Sequence, residues 1–264
     1  MSRERMGLVM FAVVLLATVL SPLLVPYDPL EPDYTERYAP ISSEHLLGTD
    51  GLGRDVLSRA LAGGRVSLVI ALSATALTML VGGTLGALAA SLGGALDTVL
   101  SRLFDALLAF PGFLLILLAV AILGGGSAQT VLAMGVAGSP VYFRLARAYA
   151  RSELRSEYVT AAFALGASRR RQLVIHALPN FFGGLLVQAA STAATFLLVE
   201  ASLSYLGLGV PLPTPSWGNV LQDSRSFLTR QPWAAVGPGF FLAAASLSFQ
   251  FMSDGMRDRL DRRG

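Results

Sequence analysis

Cysteine and lysine are both absent from the 264 residues, and histidine occurs only as His45 and His176. Without a thiol there is no disulfide, no thiolate metal site and no cysteine nucleophile. Without lysine there is no P-loop amine and no Schiff base, so any ATP that drives this chain is hydrolysed by another subunit. Two imidazoles so far apart in sequence do not make a metal centre, and neither a catalytic group nor a cofactor site is expected. Charge is scarce as well: 14% of residues are charged and 53% hydrophobic, with a mean hydropathy of +0.60. Soluble domains carry about 25% charge. The composition is that of an all-α membrane protein, and the length suits about six transmembrane helices in contact with lipid. The net charge of +3 is modest, and the arginines sit in loops at the ends of apolar runs, so nucleic acid is not an expected partner.

Six apolar runs can be marked off. The first, residues 6–25, follows Arg3 and Arg5. It is long enough to span about 30 Å of hydrocarbon and lacks an A-x-A site, so it reads as an uncleaved first helix. A polar, proline-bearing stretch follows at 27–65, and from Arg54 it reads as a short amphipathic helix lying on the membrane surface. Its Gly51-Leu52-Gly53 has no preceding strand and no third glycine, which excludes a dinucleotide site. The second run, 66–92, carries Gly82 and Gly86 at the spacing that lets helices approach closely in lipid. The third, 99–123, contains Pro111-Gly112 and is expected to kink there. Asp105, near its inner end, reads as a partner for Arg144 or Arg147. The fourth run, 130–150, leads into Arg151 and Arg155. The fifth, 182–205, holds Gln188 and Glu200, and the sixth is 233–252. An acid at mid-bilayer costs about 2.5–3.5 kcal/mol on insertion scales, so Glu200 either lines a translocation path or binds another helix. Gln188 and Asp105 carry the same two readings.

The remaining stretch, 158–180, reads YVTAAFALGASRRRQLVIHALPN. Tyr158, Ala161, Ala162 and Leu165 recur at helical spacing and share a face. Gly166 suits a helix C-terminus that needs a left-handed residue. Ser168 can cap a second helix, and Pro179 is expected to end it by disfavouring α geometry at Leu178. Arg169, Arg170 and Arg171 fall in the first turn of that second helix, where the dipole alone discourages cations. An anionic membrane face, a partner protein or the positive-inside rule would each want them there.

Ala161-Ala162, Gly166 and Leu178-Pro179 stand at the offsets of the cytoplasmic loop of ABC-importer permeases. That pattern is Glu-Ala-Ala, three residues, Gly, nine residues, Ile, one residue, Leu-Pro. Here Thr160 takes the Glu place and His176 the Ile place, as is usual in the dipeptide, oligopeptide and nickel branch. The strings HLLGTDGLGRDVLSR, from His45, and GLGVPLPTPSWGN, from Gly207, resemble the same branch, so the likeness covers the chain from about Leu47 onward. The sequence therefore resembles the C-type permease subunit of such importers.

That resemblance implies a type I importer permease fold, half of a path for dipeptides or oligopeptides, in a bacterial or archaeal cytoplasmic membrane. It implies a second permease subunit of similar fold, two ATP-binding subunits inside and a substrate-binding protein outside. Residues 1–65 would supply the first helix, outer loop and interfacial helix, and 66–264 a five-helix core with its coupling loop at about 151–180. Tyr158, Ala161, Ala162, Leu165, Gly166, Ala167, Ser168, Leu178 and Pro179 would couple this loop to an ATPase.

Six spans put both termini on one side. With that side inside, Arg3, Arg5, Arg102, Arg144, Arg147, Arg151, Arg155, Arg169, Arg170, Arg171, Arg257, Arg259, Arg262 and Arg263 are internal. Arg37, Arg54, Arg59, Arg65, Arg225 and Arg230 are external. The bias places both termini and the 158–180 loop in the cytoplasm. A secondary transporter driven by an ion gradient is one rival, but it would want more ionisable groups in its spans and an internal repeat. An intramembrane serine protease built on Ser168 is another, and it lacks a general base with an orienting acid.

Overall fold

The computed structural model describes residues 3–25 and 27–261, with side chains over 4–25 and 27–260. Arg262 and Arg263 of the charge count fall outside the described residues, as does the side chain of Arg3. Among the described residues the secondary structure is helical. In chain order the helices are α1 (Arg3–Val19), α2 (Ser21–Leu24), α3 (Val56–Leu92), α4 (Gly94–Leu108), α5 (Gly112–Leu123) and α6 (Ser127–Glu153). There follow α7 (Glu157–Ala164), the single turn α8 (Arg169–Arg171), a π-helical stretch (Gln172–Ala177), α9 (Leu178–Tyr205), α10 (Trp217–Ser224) and α11 (Trp233–Asp261).

Three helices are long and apolar enough to cross a bilayer: Val56–Leu92, the continuous rod Arg169–Tyr205, and Trp233–Leu260. The pair α4 and α5 counts as a fourth, but it is bent by 92° at its break. The expected kink at Pro111 is therefore a corner. Pro111 caps α5 in an extended conformation and has no N–H to carry α4 onward. The other two expected spans are α1 and α6, which pack lengthwise on α11 and α3.

Small residues decide which helices touch. Gly82 and Gly86 both face α6, where a Cβ on either would overlap the Ser139 or Phe143 carbonyl. The Thr78 hydroxyl donates to the Gly135 carbonyl across the same seam at 3.0 Å. The Gly-x-x-x-Gly spacing thus serves packing inside this subunit. Gly7 and Gly255 do the same between α1 and α11, where Phe11 and Phe249 meet with ring centroids 4.7 Å apart.

Prolines inside the rods leave carbonyls without a donor, and side chains answer. Pro140 cannot bond the Val136 carbonyl, and the Ser139 hydroxyl donates to it at 2.7 Å. Pro238 leaves the Ala234 carbonyl free, and the Ser224 hydroxyl donates to it from α10 at 3.1 Å.

The interfacial helix expected from Arg54 onward is corrected. Residues 56–65 are the first turns of α3 itself, starting from Asp55, whose carboxylate accepts from Ser58 N at 2.7 Å. Arg54 and Arg59 are buried rather than laid on a surface. Arg54 donates to Asp50 at 2.7 Å, and Arg54 and Arg59 both reach Asp223 of α10, at 3.2 and 3.0 Å. Trp217, fully buried, donates its indole N–H to the Ala60 carbonyl at 2.9 Å and its backbone N–H to Ser67. Loop 27–55, α10 and the start of α3 therefore form one cap.

The opposite end of α3 lies about 55 Å away at 1.5 Å per residue. There the Arg169 guanidinium donates to the Ser91 and Leu92 carbonyls. Glu4 pairs with Arg259, and Gly183 faces Leu260, so both described ends of the chain share this end with the 151–180 loop.

Candidate coupling site

The loop begins where α6 ends, and α7 is held against the bundle by a polar clasp. The Tyr158 hydroxyl donates to the Glu153 carboxylate and accepts from the Asn180 amide. The same amide also donates to the His176 carbonyl at 3.3 Å. Burial and the Glu153 contact together raise the Tyr158 pKa, which keeps the phenol protonated as a donor. One side chain of α7, Val159, is fully buried and pins the helix from beneath.

At its C-terminus α7 closes as a Schellman motif. Ala167 N–H bonds the Ala162 carbonyl at 3.0 Å, Gly166 N–H bonds the Phe163 carbonyl at 2.9 Å, and Gly166 takes φ +90°. Ser168 then caps the next helix by accepting from Arg171 N at 3.4 Å. Its hydroxyl is thereby a structural group, with no imidazole bonded to it. Both readings of Gly166 and Ser168 hold.

The reading of Pro179 does not. Leu178 keeps α geometry (φ −54°, ψ −45°) and the rod runs through it from Arg169 to Tyr205. Pro179 has no N–H and its ring crowds the carbonyl four residues back. The preceding six residues widen into a π-helix, which gives that ring room and re-pairs the backbone at i+5. The helix of the fifth span therefore starts at Arg169, 13 residues before the apolar run at 182.

Around α7 the apolar residues point outward. Leu165 is 90% exposed and Phe163 63%, with Tyr158, Ala161 and Pro179 also exposed and Ala162, Ala167 and Leu178 half-buried. Phe163 falls outside the series Tyr158, Ala161, Ala162 and Leu165 and so carries no signal from spacing. Phe163 and Leu165 thus project from a short helix whose backbone is fixed at both ends.

The three interior candidates lie apart from one another. Asp105 pairs with Arg144 at 2.6 Å, as expected. Arg147 pairs instead with Asp97, which also holds Arg151 and which the sequence reading missed. Gln188 donates to Thr192 at 3.4 Å, and Thr192 accepts from the Tyr142 hydroxyl at 3.2 Å. Glu200, fully buried, accepts from Ser204 at 2.8 Å, with the Ser67 and Ser216 hydroxyls facing its carboxylate. Glu200 therefore joins α9 to α3 and to the cap of α10.

A family model described as "Binding-protein-dependent transport system inner membrane component" matches residues 82–263. The di/tripeptide transport system permease protein DppC of Pseudomonas aeruginosa (strain UCBPP-PA14) is 38% identical over 261 residues, covering 97% of this chain and 86% of that protein. The dipeptide transport system permease protein DppC of Alkalihalophilus pseudofirmus is 37% identical over 255 residues, with 97% and 84% covered. The oligopeptide transport system permease protein OppC of Bacillus subtilis (strain 168) is 35% identical over 255 residues, again with 97% and 84% covered.

Proposed function

Since the chain belongs to the family of binding-protein-dependent transport system inner membrane components, and is thus a permease subunit of an ABC importer rather than an enzyme, we propose that it carries short peptides inward by a movement received at α7. The relatives named for dipeptides, tripeptides and oligopeptides support that cargo class. In this reading a second permease of similar fold completes the path, two ATP-binding subunits lie beneath it and a binding protein delivers cargo from outside. The helices from α3 to α11 form the core that carries the coupling loop. Both termini and α7 face the cytoplasm, in accord with the arginine bias.

The single observation that carries the reading is the outward apolar face of a helix clamped at both ends. Phe163 and Leu165 enter a groove of one ATPase, while Ala161, Ala162 and Ala167 keep side-chain bulk low so that backbones can approach. Tyr158, Gly166, Ser168, Leu178 and Pro179 hold the helix rather than touch the partner. When the ATPase pair closes, α7 is displaced as a unit through its clasp to Glu153 and Asn180, which lie on α6 and α9. Coupling of this kind requires contacts that differ between the two states, which a docked rigid helix supplies.

The test uses Leu165→Asp and Gly166→Leu in the chain expressed with its partner subunits. Both variants are expected to insert in the membrane at normal levels. Each should lose co-purifying ATPase and peptide uptake by about tenfold or more: Leu165→Asp forces a carboxylate into an apolar contact, at a cost above about 1.4 kcal/mol, and Gly166→Leu strains the left-handed turn that ends α7. Normal uptake by Leu165→Asp would end the docking reading.

A further inference from the structure

The groove between α3 and α9 does not enter the coupling reading. Along α3, Ala76, Leu80, Gly83 and Ala87 follow one another at helical spacing, facing Leu178 and Phe182 of α9, and enclose about 510 Å³ lined almost wholly by carbon. Among the described residues nothing covers it, and Leu80, Val174 and Phe182 are exposed. A second recess, of about 390 Å³, follows toward the 151–180 end of the same two helices. Beyond Ala87 and Leu88 come Ala90 and Ser91, and beyond Leu173 come Gln172 and Arg169, around it.

That recess is electropositive. Arg151, Arg155 and Arg169 line it, and it contains no acid. Asp97, outside the recess, is held by Arg147 and Arg151 together, so it pairs with one of the three lining arginines and not with Arg155 or Arg169. Arg155 has no carboxylate partner among the described residues. The rod Arg169–Tyr205 also begins here, adding the positive end of its dipole.

We propose that these two neighbouring recesses together bind an anionic phospholipid, its phosphate among Arg151, Arg155 and Arg169 and one acyl chain along the α3–α9 groove. The argument is complementarity along a single line. A dry, charge-free trough adjoins, at the end of the same two helices, Arg155 and Arg169, which have no carboxylate partner among the described residues, and Arg151, which shares Asp97 with Arg147, the order of tail and headgroup in a bilayer leaflet. A helix of another subunit would satisfy the trough but leave the arginines unanswered. Free phosphate would satisfy the arginines and leave the trough empty. The proposal goes beyond the transport reading and depends on it only for which leaflet is named, the cytoplasmic one.

The test is native mass spectrometry of the detergent-purified importer, titrated with phosphatidylglycerol, phosphatidylcholine or inorganic phosphate. The double variant Arg155→Ala/Arg169→Ala should bind phosphatidylglycerol about thirtyfold more weakly, at roughly 1 kcal/mol per arginine near a membrane surface, with little change for phosphatidylcholine. Gly83→Leu places a side chain in the trough, where a Cβ meets only Leu185 at 3.9 Å, and should weaken both lipids. Unchanged phosphatidylglycerol binding in the double variant overturns the proposal. So does loss of the second permease from the Gly83→Leu complex with lipid binding intact, which would assign the trough to a partner helix. Displacement of phosphatidylglycerol by inorganic phosphate, with Gly83→Leu without effect, would reduce the site to a phosphate pocket and likewise overturn it.

Discussion

Glu200 is an acid with no arginine beside it, enclosed where α9, α3 and α10 meet. One carboxylate oxygen accepts from Ser204 and the other has no hydrogen-bond partner. An acid in a span marks function by default, but here the neighbours are hydroxyls that also anchor the backbone. Ser204 receives the Val210 N–H at 3.1 Å, Ser67 that of Trp217 at 3.1 Å, and Ser216 that of Asn219 at 3.3 Å. The carboxylate thus orients Ser204 and lies beside two further serines that hold the cap. Glu200→Gln keeps an acceptor and the same volume, so it should cost about 1 kcal/mol or less and leave uptake intact. Glu200→Ala leaves a cavity and the Ser204 hydroxyl without its acceptor, and should cost about 2–5 kcal/mol, read as lower yield and melting temperature of the solubilised importer. Abolished uptake in a Glu200→Gln protein of normal stability would place the carboxylate in the transport path instead.

Among elements, the pairing of α3 with α6 rests on backbones in contact, as expected in lipid where burial of apolar surface no longer drives association. A methyl at Gly82 would meet the Ser139 carbonyl, Tyr142 Cβ at 2.8 Å and Phe143 N at 2.9 Å, while one at Gly83 meets only Leu185 at 3.9 Å. Gly82→Ala should therefore push the helices apart and cost about 1–3 kcal/mol. Gly83→Ala should be neutral or stabilising by about 0.5–1 kcal/mol through helix propensity, a contrast that thermal melts of the two proteins would resolve. Equal melting temperatures would remove the close-packed seam as the basis of this pairing. The spacing of Gly82 and Gly86 was legible in the sequence, as were the left-handed Gly166 and the Ser168 cap, because each depends on a few neighbours. The misread elements depended on distant ones. Arg54 and Arg59 looked amphipathic because their acceptor, Asp223, lies on another helix 164 positions after Arg59. Pro179 looked like a stop because no residue type marks a π-helix.

At the scale of the molecule, family and fold class were legible from scattered motifs, while the 92° corner, the buried ionic cap and the lipid trough arise only when segments meet. Sidedness belongs to this scale too. The bundle sorts its polar ends: loop 27–55 and α10 form one, and the 151–180 loop with the start of α1 and the end of α11 forms the other. The sorting groups the loops by end, and the arginine bias supports the proposed cytoplasmic side for the 151–180 end. Because the chain has no cysteine, a single introduced thiol reports on one position without background. Leu46→Cys, at a site 59% exposed on the cap, should react in intact cells with a maleimide that cannot cross the membrane. Arg257→Cys, exposed on α11 at the opposite end and away from α7, should react only after permeabilisation. The reverse pattern would put α7 outside, beyond reach of any ATPase. The clasp of Tyr158 with Glu153 and Asn180 would then hold a helix with nothing to receive.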